Sequence, residues 1–337
     1  MPIKVAINGF GRIGRCIARV ALSNPQIELV AINDLLPIEN ASYLFQYDTA
    51  YGIYPEEVSF SEGVLKVGDR KIKYISEKEP LKLPWKDNSI DVVFECTGRF
   101  VKDGVAKVHL EAGAKKVILS APAKGEGNVP TYLMGVNQDK YQGENLFSMA
   151  SCTTNCIAPV LHVMHQKFGV SKSVMNTVHA TTNTEAVVDS MPPGGGTDFR
   201  RGRASAHNMV PTSTGAAIAC TKAMPDLTGM FDGTAVRVPI IVGSLSDIVM
   251  VTKRPVTVAE VNNSFIEASK NPFYKNVLAV SLDENLVSSD IIKNPFSSIV
   301  DLELTKVVGG DLVKVVSWYD NEWGYSSRMI DMAIHVS

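Results

Sequence analysis

The sequence predicts an α/β protein with two cores, and three observations predict it. At 337 residues the chain is longer than one hydrophobic core usually serves. Its first 33 residues read strand, glycine-rich turn, helix and strand. After Ser148 a long helix-like run replaces the short apolar strands that precede it.

Taken in order, residues 3–7 read as a buried strand, 12–22 as a helix and 27–32 as a second strand, a βαβ unit of right-handed crossover. Residues 58–75 are β-rich, with Gly63, Gly68 and Asp69 marking hairpin turns. Residues 91–95 and 116–119 resume the apolar strands of a parallel sheet, with a helical stretch at 102–112 between them. A domain boundary is placed near residue 151. Beyond it come a helix over 154–168, a strand over 174–179 and a closing helix over 321–336. Pro159 requires the first of these helices either to start late or to kink. Residues 191–196 read Met-Pro-Pro-Gly-Gly-Gly and are expected as a surface or interface loop. The predicted division is 1–151 and 152–317, with the helix of 318–337 joined to the first domain.

The chain is 45% hydrophobic and 20% charged with a formal net charge of -2, which gives no reason to expect a nucleic-acid partner. A membrane-spanning helix needs about 20 mostly apolar residues, and charges or turn residues interrupt every apolar run earlier. Met1-Pro2-Ile3-Lys4 leads straight into a strand pattern without the regions of a secretory signal, so a cytoplasmic location is expected. Cys16, Cys96, Cys152, Cys156 and Cys220 are odd in number and lack framework spacing, as suits a reducing compartment.

Two segments carry chemistry. Gly9, Gly11 and Gly14 fit G-x-G-x-x-G between a strand and a helix, where glycines let the backbone approach a pyrophosphate and the helix N-terminus offers N–H groups to it. Asp34, 20 residues beyond Gly14, ends the second strand where a carboxylate can bond a ribose hydroxyl pair. Its charge favours NAD over NADP. Ser151-Cys152-Thr153-Thr154-Asn155-Cys156 runs from a hydroxyl-rich patch into a helix, whose N-terminus or a nearby imidazole lowers a thiol's pKa and makes Cys152 a nucleophile. His179, at the end of a strand, is the matching base. Zinc held by Cys152, Cys156, His162 and His165 is the rival reading, but neither C-x-x-C pairs nor finger spacing is present. His162 and His165 are expected on a solvated helix face, and no metal is expected.

Residues 7–15, 151–156 and 317–325 resemble the signature segments of the phosphorylating glyceraldehyde-3-phosphate dehydrogenase family, and the similarity covers the whole chain. The stretch Ala-Ser-Cys-Thr-Thr-Asn-Cys from Ala150 is specific for that family and its erythrose-4-phosphate relatives. The resemblance implies a Rossmann-type dinucleotide-binding domain plus an α+β catalytic domain with a mixed or antiparallel sheet. It implies oxidation of D-glyceraldehyde 3-phosphate to 1,3-bisphosphoglycerate through a Cys152 hemithioacetal and thioester, with His179 as base. It further implies cofactor contacts from Gly9, Phe10, Gly11, Arg12, Ile13, Asp34, Lys78, Thr97, Ser120, Asn321 and Tyr325. Substrate and inorganic phosphate would be held by Ser151, Thr153, Thr182, Arg200, Thr214, Gly215 and Arg237, and the chain would assemble as a homotetramer.

Some positions depart from the family pattern. Lys78 stands where arginine is usual, Glu185 where glutamine is usual, and Ile240-Ile241-Val242 where Thr-x-Asn follows Arg-Val-Pro. The loop of 191–196 is richer in glycine than usual, and Ser190 falls where relatives that accept NADP carry a small polar residue. NADP use, an erythrose 4-phosphate substrate and a non-catalytic dinucleotide-binding module therefore remain the competing expectations.

Overall fold

The computed structural model describes residues 1–282 and 285–337, and the chain divides into two compact units. The first comprises Met1–Tyr132, Asp139–Ala150 and Ser326–Ser337, and the second Leu133–Gln138 and Ser151–Tyr325. Among the described residues no helix is long and apolar enough to cross a membrane.

The first unit begins β1 (Ile3–Asn8), α1 (Arg12–Leu22), β2 (Ile27–Asn33) and α2 (Ile38–Gln46). It continues with β3 (Val58–Ser61), β4 (Val64–Val67), β5 (Arg70–Ile75), β6 (Val92–Glu95), α3 (Val108–Glu111), β7 (Lys116–Leu119) and β8 (Leu146–Ser148). These strands form one sheet in the order β3-β4-β5-β2-β1-β6-β7-β8. It is parallel from β5 to β8, and the β3–β4–β5 hairpins add an antiparallel edge. Ala31, Ala6, Val93 and Val117 form one row across the sheet and pack with Trp85, Leu83 and Ile90 in a buried cluster. The small side chains on the central strands leave room for that tryptophan. The helix expected over 102–112 forms only as a 3-10 turn, Val105–Lys107, running into the short α3. Gly104, at φ 70°, breaks the backbone ahead of it and Gly113, at φ 102°, breaks it behind.

The second unit holds α4 (Cys152–Phe168), β9 (Val170–Ala180), β10 (Val210–Ser213), α5 (Ala216–Ala223), β11 (Phe231–Val238), β12 (Ser244–Thr252) and α6 (Val258–Lys270). After these come β13 (Leu278–Ser281), β14 (Ser298–Val308) and β15 (Leu312–Tyr319). Its sheet runs β10-β11-β9-β12-β15-β14-β13 and is mixed: β9 with β11 and β13 with β14 are parallel, the other pairs antiparallel. Strict alternation along β12 buries Ser244, Ser246, Ile248, Met250 and Thr252 on one face. Helix α4 packs against β9, β12, β14 and β15. It starts two residues earlier than the apolar spacing suggests, because Ser151 caps it by accepting the N–H of Thr154 at 3.2 Å. Pro159 lies inside this helix and removes the N–H that would bond the Asn155 carbonyl.

A last helix, α7 (Trp323–Val336), opens where Asp320 Oδ1 accepts the N–H groups of Glu322 and Trp323. It begins in the second unit and ends in the first. The glycine-rich loop contains a 3-10 turn, Pro193–Gly195.

Candidate active site

In the first unit the chain turns outward from β1 at the point where the strand order reverses. The carboxyl ends of β1, β2 and β6 lie side by side there, with Asn8 in register with Asn33 and Glu95. Open sheets bind ligands at such a switch point. A cleft of about 430 Å³ opens at it, lined among others by Gly9, Gly11, Asp34, Lys78 and Thr97. Gly9 has φ 98°, and a Cβ there would stand 2.7 Å from the Thr97 backbone nitrogen; one on Gly14 would stand 2.1 Å from the Gly9 carbonyl oxygen. Gly11 caps α1 without offering a side chain to its first N–H groups.

Asp34 is oriented from two sides, accepting the Phe10 N–H at 2.5 Å and the Leu36 N–H at 2.8 Å. Beneath the cleft runs a buried polar chain that sequence reasoning missed. Asn33 Nδ2 donates to Asn8 Oδ1 at 2.7 Å, Asn8 Nδ2 to Glu95 Oε2 at 2.6 Å, and the Thr97 N–H to Glu95 Oε1 at 2.8 Å. These bonds satisfy an otherwise costly buried carboxylate and fix Thr97 at the rim.

The other expected cofactor residues are placed variously. The Phe10 ring is buried against Phe45, the Arg12 guanidinium pairs with Asp48 at 2.6 Å, and Ile13 is half-buried in the first turn of α1. Ser120 follows β7 and donates its N–H to the Glu95 carbonyl at 3.0 Å. Asn321 and Tyr325 belong to the second unit, where Asn321 Oδ1 accepts from Ser244 Oγ at 3.0 Å and Tyr325 is buried.

The second unit brings its thiol and imidazole together. Cys152 opens α4, His179 stands near the end of β9, and Cys152 Sγ lies 3.4 Å from His179 Nε2. His179 Nδ1 is 2.7 Å from the Ala180 carbonyl oxygen. In the tautomer that donates Nδ1–H to that carbonyl, the Nε2 lone pair faces the sulfur. Tyr319 braces the pair: its hydroxyl bonds Thr153 and Thr177 at 2.9 Å each, and its ring meets His179 edge-on at 6.0 Å. The Thr153 hydroxyl, expected at the substrate, is thus engaged in the interior.

Burial pushes the Cys152 thiol up against the opposing charge of Arg237 and the Thr153 backbone N–H. Burial, with Arg237 second, pushes His179 down to about 3. Both shifts act against charge separation between the sulfur and the imidazole.

Around the imidazole lies a polar cluster built by strand register. Arg237 is directly opposite His179 on the parallel neighbour β11. Its Nη1 is 2.9 Å from His179 Nδ1 and donates to the Ala180 carbonyl at 3.1 Å and to Thr182 Oγ1 at 3.4 Å. Its Nε is buried and has no hydrogen-bond partner among the described residues. Thr214 Oγ1 accepts the Ala216 N–H at 3.2 Å at the start of α5, and Thr154 Oγ1 reaches the Ala216 carbonyl at 3.5 Å, so α4 and α5 begin side by side. Gly215 is exposed at that cap. Arg200 is not brought to this cluster: its side chain is exposed and its Nε reaches Asp198 at 3.5 Å. Its neighbour Arg201 is the arginine that faces inward, pairing with Glu185 at 2.5 Å.

The residues of the rival zinc reading have separate partners. Cys156 Sγ contacts the Ser317 carbonyl at 3.8 Å, His162 Nδ1 the Tyr274 hydroxyl at 2.8 Å, and His165 Nδ1 accepts the Val170 N–H at 3.2 Å. Both histidines are half-buried and hydrogen-bonded rather than on a solvated face. Among the described residues no group of three or more His, Cys, Asp or Glu side chains is arranged around a metal position.

A dinucleotide cleft at a sheet's switch point and a half-buried thiol facing an imidazole define a nicotinamide-dependent oxidoreductase with covalent sulfur chemistry. Comparison with known proteins narrows this. Residues 3–103 match the model of the glyceraldehyde 3-phosphate dehydrogenase NAD binding domain, and residues 151–321 match that of the C-terminal domain. The chain is 46% identical to glyceraldehyde-3-phosphate dehydrogenase 1 of Bacillus cereus over 336 residues, covering 99% of this chain and 98% of that one. Over 339 residues it is 46% identical to glyceraldehyde-3-phosphate dehydrogenase 1 of Bacillus subtilis (strain 168), and 46% to glyceraldehyde-3-phosphate dehydrogenase of Geobacillus stearothermophilus. Each covers 100% of this chain and 99% of the relative. The chain belongs to the glyceraldehyde 3-phosphate dehydrogenase family and is an NAD-dependent oxidoreductase.

Proposed function

We propose that the chain oxidises D-glyceraldehyde 3-phosphate in the presence of inorganic phosphate to 1,3-bisphosphoglycerate, with Cys152 as nucleophile and His179 as acid and base. The observation that carries this is the 3.4 Å contact between Cys152 Sγ and His179 Nε2, with Arg237 beside the imidazole. The residues lining the first unit's cleft fit NAD. A glycine turn that side chains would block leaves backbone beside an uncapped helix end for the pyrophosphate, and Asp34 is held where a ribose would meet it. When bound, NAD supplies the two-electron hydride acceptor.

Cys152 sulfur bonds to the aldehyde carbon as its proton passes to His179 Nε2, which returns it to the new alkoxide to give a hemithioacetal. His179 takes that proton again as the carbon loses its hydride, leaving a thioester. A phosphate oxygen then attacks the thioester carbon and the C–S bond breaks. The thiolate recovers a proton from the phosphate, and His179 releases its own to solvent. A depressed imidazole pKa suits a group that must shed its proton each cycle. Arg237, whose buried Nε lacks a partner among the described residues, and Thr182 offer donors to the anions, with Arg201 rather than Arg200 next to them. Ser151, Thr214 and Gly215 complete the polar rim at the starts of α4 and α5.

A cytoplasmic location and a homotetramer belong to the same reading. The exposed apolar side chains of Val187, Val188, Met191, Phe199 and Met209 support subunit contact in this region. Light scattering is expected to give four chains per particle, and a monomer would contradict it. The activity is tested by assaying glyceraldehyde 3-phosphate and erythrose 4-phosphate with NAD and NADP, each with and without phosphate. Steady NADH formation that requires phosphate, with the triose preferred, is expected; turnover unaffected by phosphate would overturn the reading.

A further inference from the structure

We propose that Glu185 is a built-in counter-ion that sets how strongly the anion site of the second unit binds inorganic phosphate. The inference rests on the reading that phosphate attacks a Cys152 thioester. Glu185 has a fully buried side chain, and its carboxylate makes five contacts. Oε1 lies 2.5 Å from Arg201 Nη1 and 3.7 Å from Arg237 Nε, and accepts the Thr184 hydroxyl at 2.8 Å. Oε2 accepts the Thr182 N–H at 3.0 Å and the Thr182 hydroxyl at 3.3 Å.

These donors are the ones a tetrahedral oxyanion would use: two guanidinium groups, a backbone N–H and two hydroxyls. One carboxylate holds them in the absence of ligand. Glu185 therefore cancels one of the two positive charges, Asp198 Oδ2 stands a further 3.7 Å from Arg201 Nε, and an incoming phosphate dianion meets a fixed negative charge among its own donors. Phosphate binds only as Glu185 gives up a guanidinium. The 3.7 Å separation from Arg237 is too long for a hydrogen bond, so that guanidinium is the one more readily released. A neutral amide of the same shape removes the charge and keeps one acceptor oxygen, which can serve the Thr182 N–H while its NH2 group no longer holds Arg201. Glu185 is thus a specificity-determining residue for the acyl acceptor, setting how much phosphate is needed to fill the site.

The test is the Glu185→Gln variant, assayed with NAD by varying phosphate at saturating aldehyde and aldehyde at saturating phosphate. Its KM for phosphate is expected to fall at least tenfold, with the KM for aldehyde moving less than twofold. An unchanged or raised KM for phosphate would overturn the proposal, since a carboxylate that merely positions Arg237 should weaken binding when lost. Crystals of the wild-type holoenzyme soaked in phosphate supply a readout that needs no variant. The Glu185 carboxylate is expected to leave Arg201 or Arg237 as phosphate docks; phosphate bound there with both contacts intact contradicts it. A wild-type protein with no phosphate-dependent turnover would instead defeat the proposed reaction itself, so the two failures are told apart.

Discussion

The cleft of the first unit is made mostly of backbone, whereas the thiol cluster of the second is made of side chains. Gly9, Gly11 and Asp34 come from one βαβ unit, and their positions follow from a turn and a strand end. Cys152, His179, Thr182, Arg201 and Arg237 come from a helix start, two strands and two connecting segments, and meet through sheet register. A backbone site tolerates side-chain change but not a Cβ where the chain closes on itself. A side-chain site tolerates small backbone adjustments but not loss of a functional group.

Four substitutions or conditions sharpen that contrast. Replacing His179 by Gln should cost the largest factor, about 10²–10⁴ in kcat, while leaving NADH binding to the first unit unchanged by fluorescence titration. Weakened NADH binding in that variant would erase the distinction between the regions. Acid should expose the same residue through stability. His179 titrates at about 3 when folded against an ordinary 6.5, so between these values the unfolded chain holds a proton that the folded chain lacks. Stability from this group is whole above pH 6.5 and is lost as pH falls toward 3, up to about 5 kcal/mol. Denaturant melts of wild type and His179→Gln from pH 7 to 4 check this, and curves that stay parallel would refute it.

Gly9→Ala forces a side chain into φ 98° and against the Thr97 nitrogen, and is expected to cost about 2 kcal/mol in stability and to weaken NAD binding. Calorimetry reads both. The smallest effect is expected from Asp34→Asn, which should weaken NAD about tenfold and narrow its advantage over NADP. An unaltered NAD to NADP ratio would remove Asp34 from cofactor selection.

The contrast also explains what was legible in the sequence. The glycine turn and Asp34 can be read because a local backbone geometry demands particular residues at fixed spacing. Cys152 and His179 can be read as reactive types, but not their contact, which spans 27 residues and depends on how α4 lies on the sheet. Arg237 meets His179 only because β11 pairs in parallel with β9. The choice between Arg200 and Arg201 is made by the 3-10 turn Phe199–Gly202, which exposes one and turns the other toward Glu185. The buried Asn33–Asn8–Glu95 chain gives no motif, since its members are polar residues ending three separate strands. Pro159 misleads in the other direction, because the Ser151 cap and packing of α4 on the sheet outweigh its break in hydrogen bonding.

The central claim is that Cys152 carries the acyl group. Rapid mixing of the holoenzyme with aldehyde in phosphate-free buffer tests it most directly. One equivalent of NADH per chain should form in a burst and then stall, with the acyl group found on Cys152 by mass spectrometry and no burst from Cys152→Ser. A full burst from the serine variant, or an acyl group on any other residue, would contradict the account.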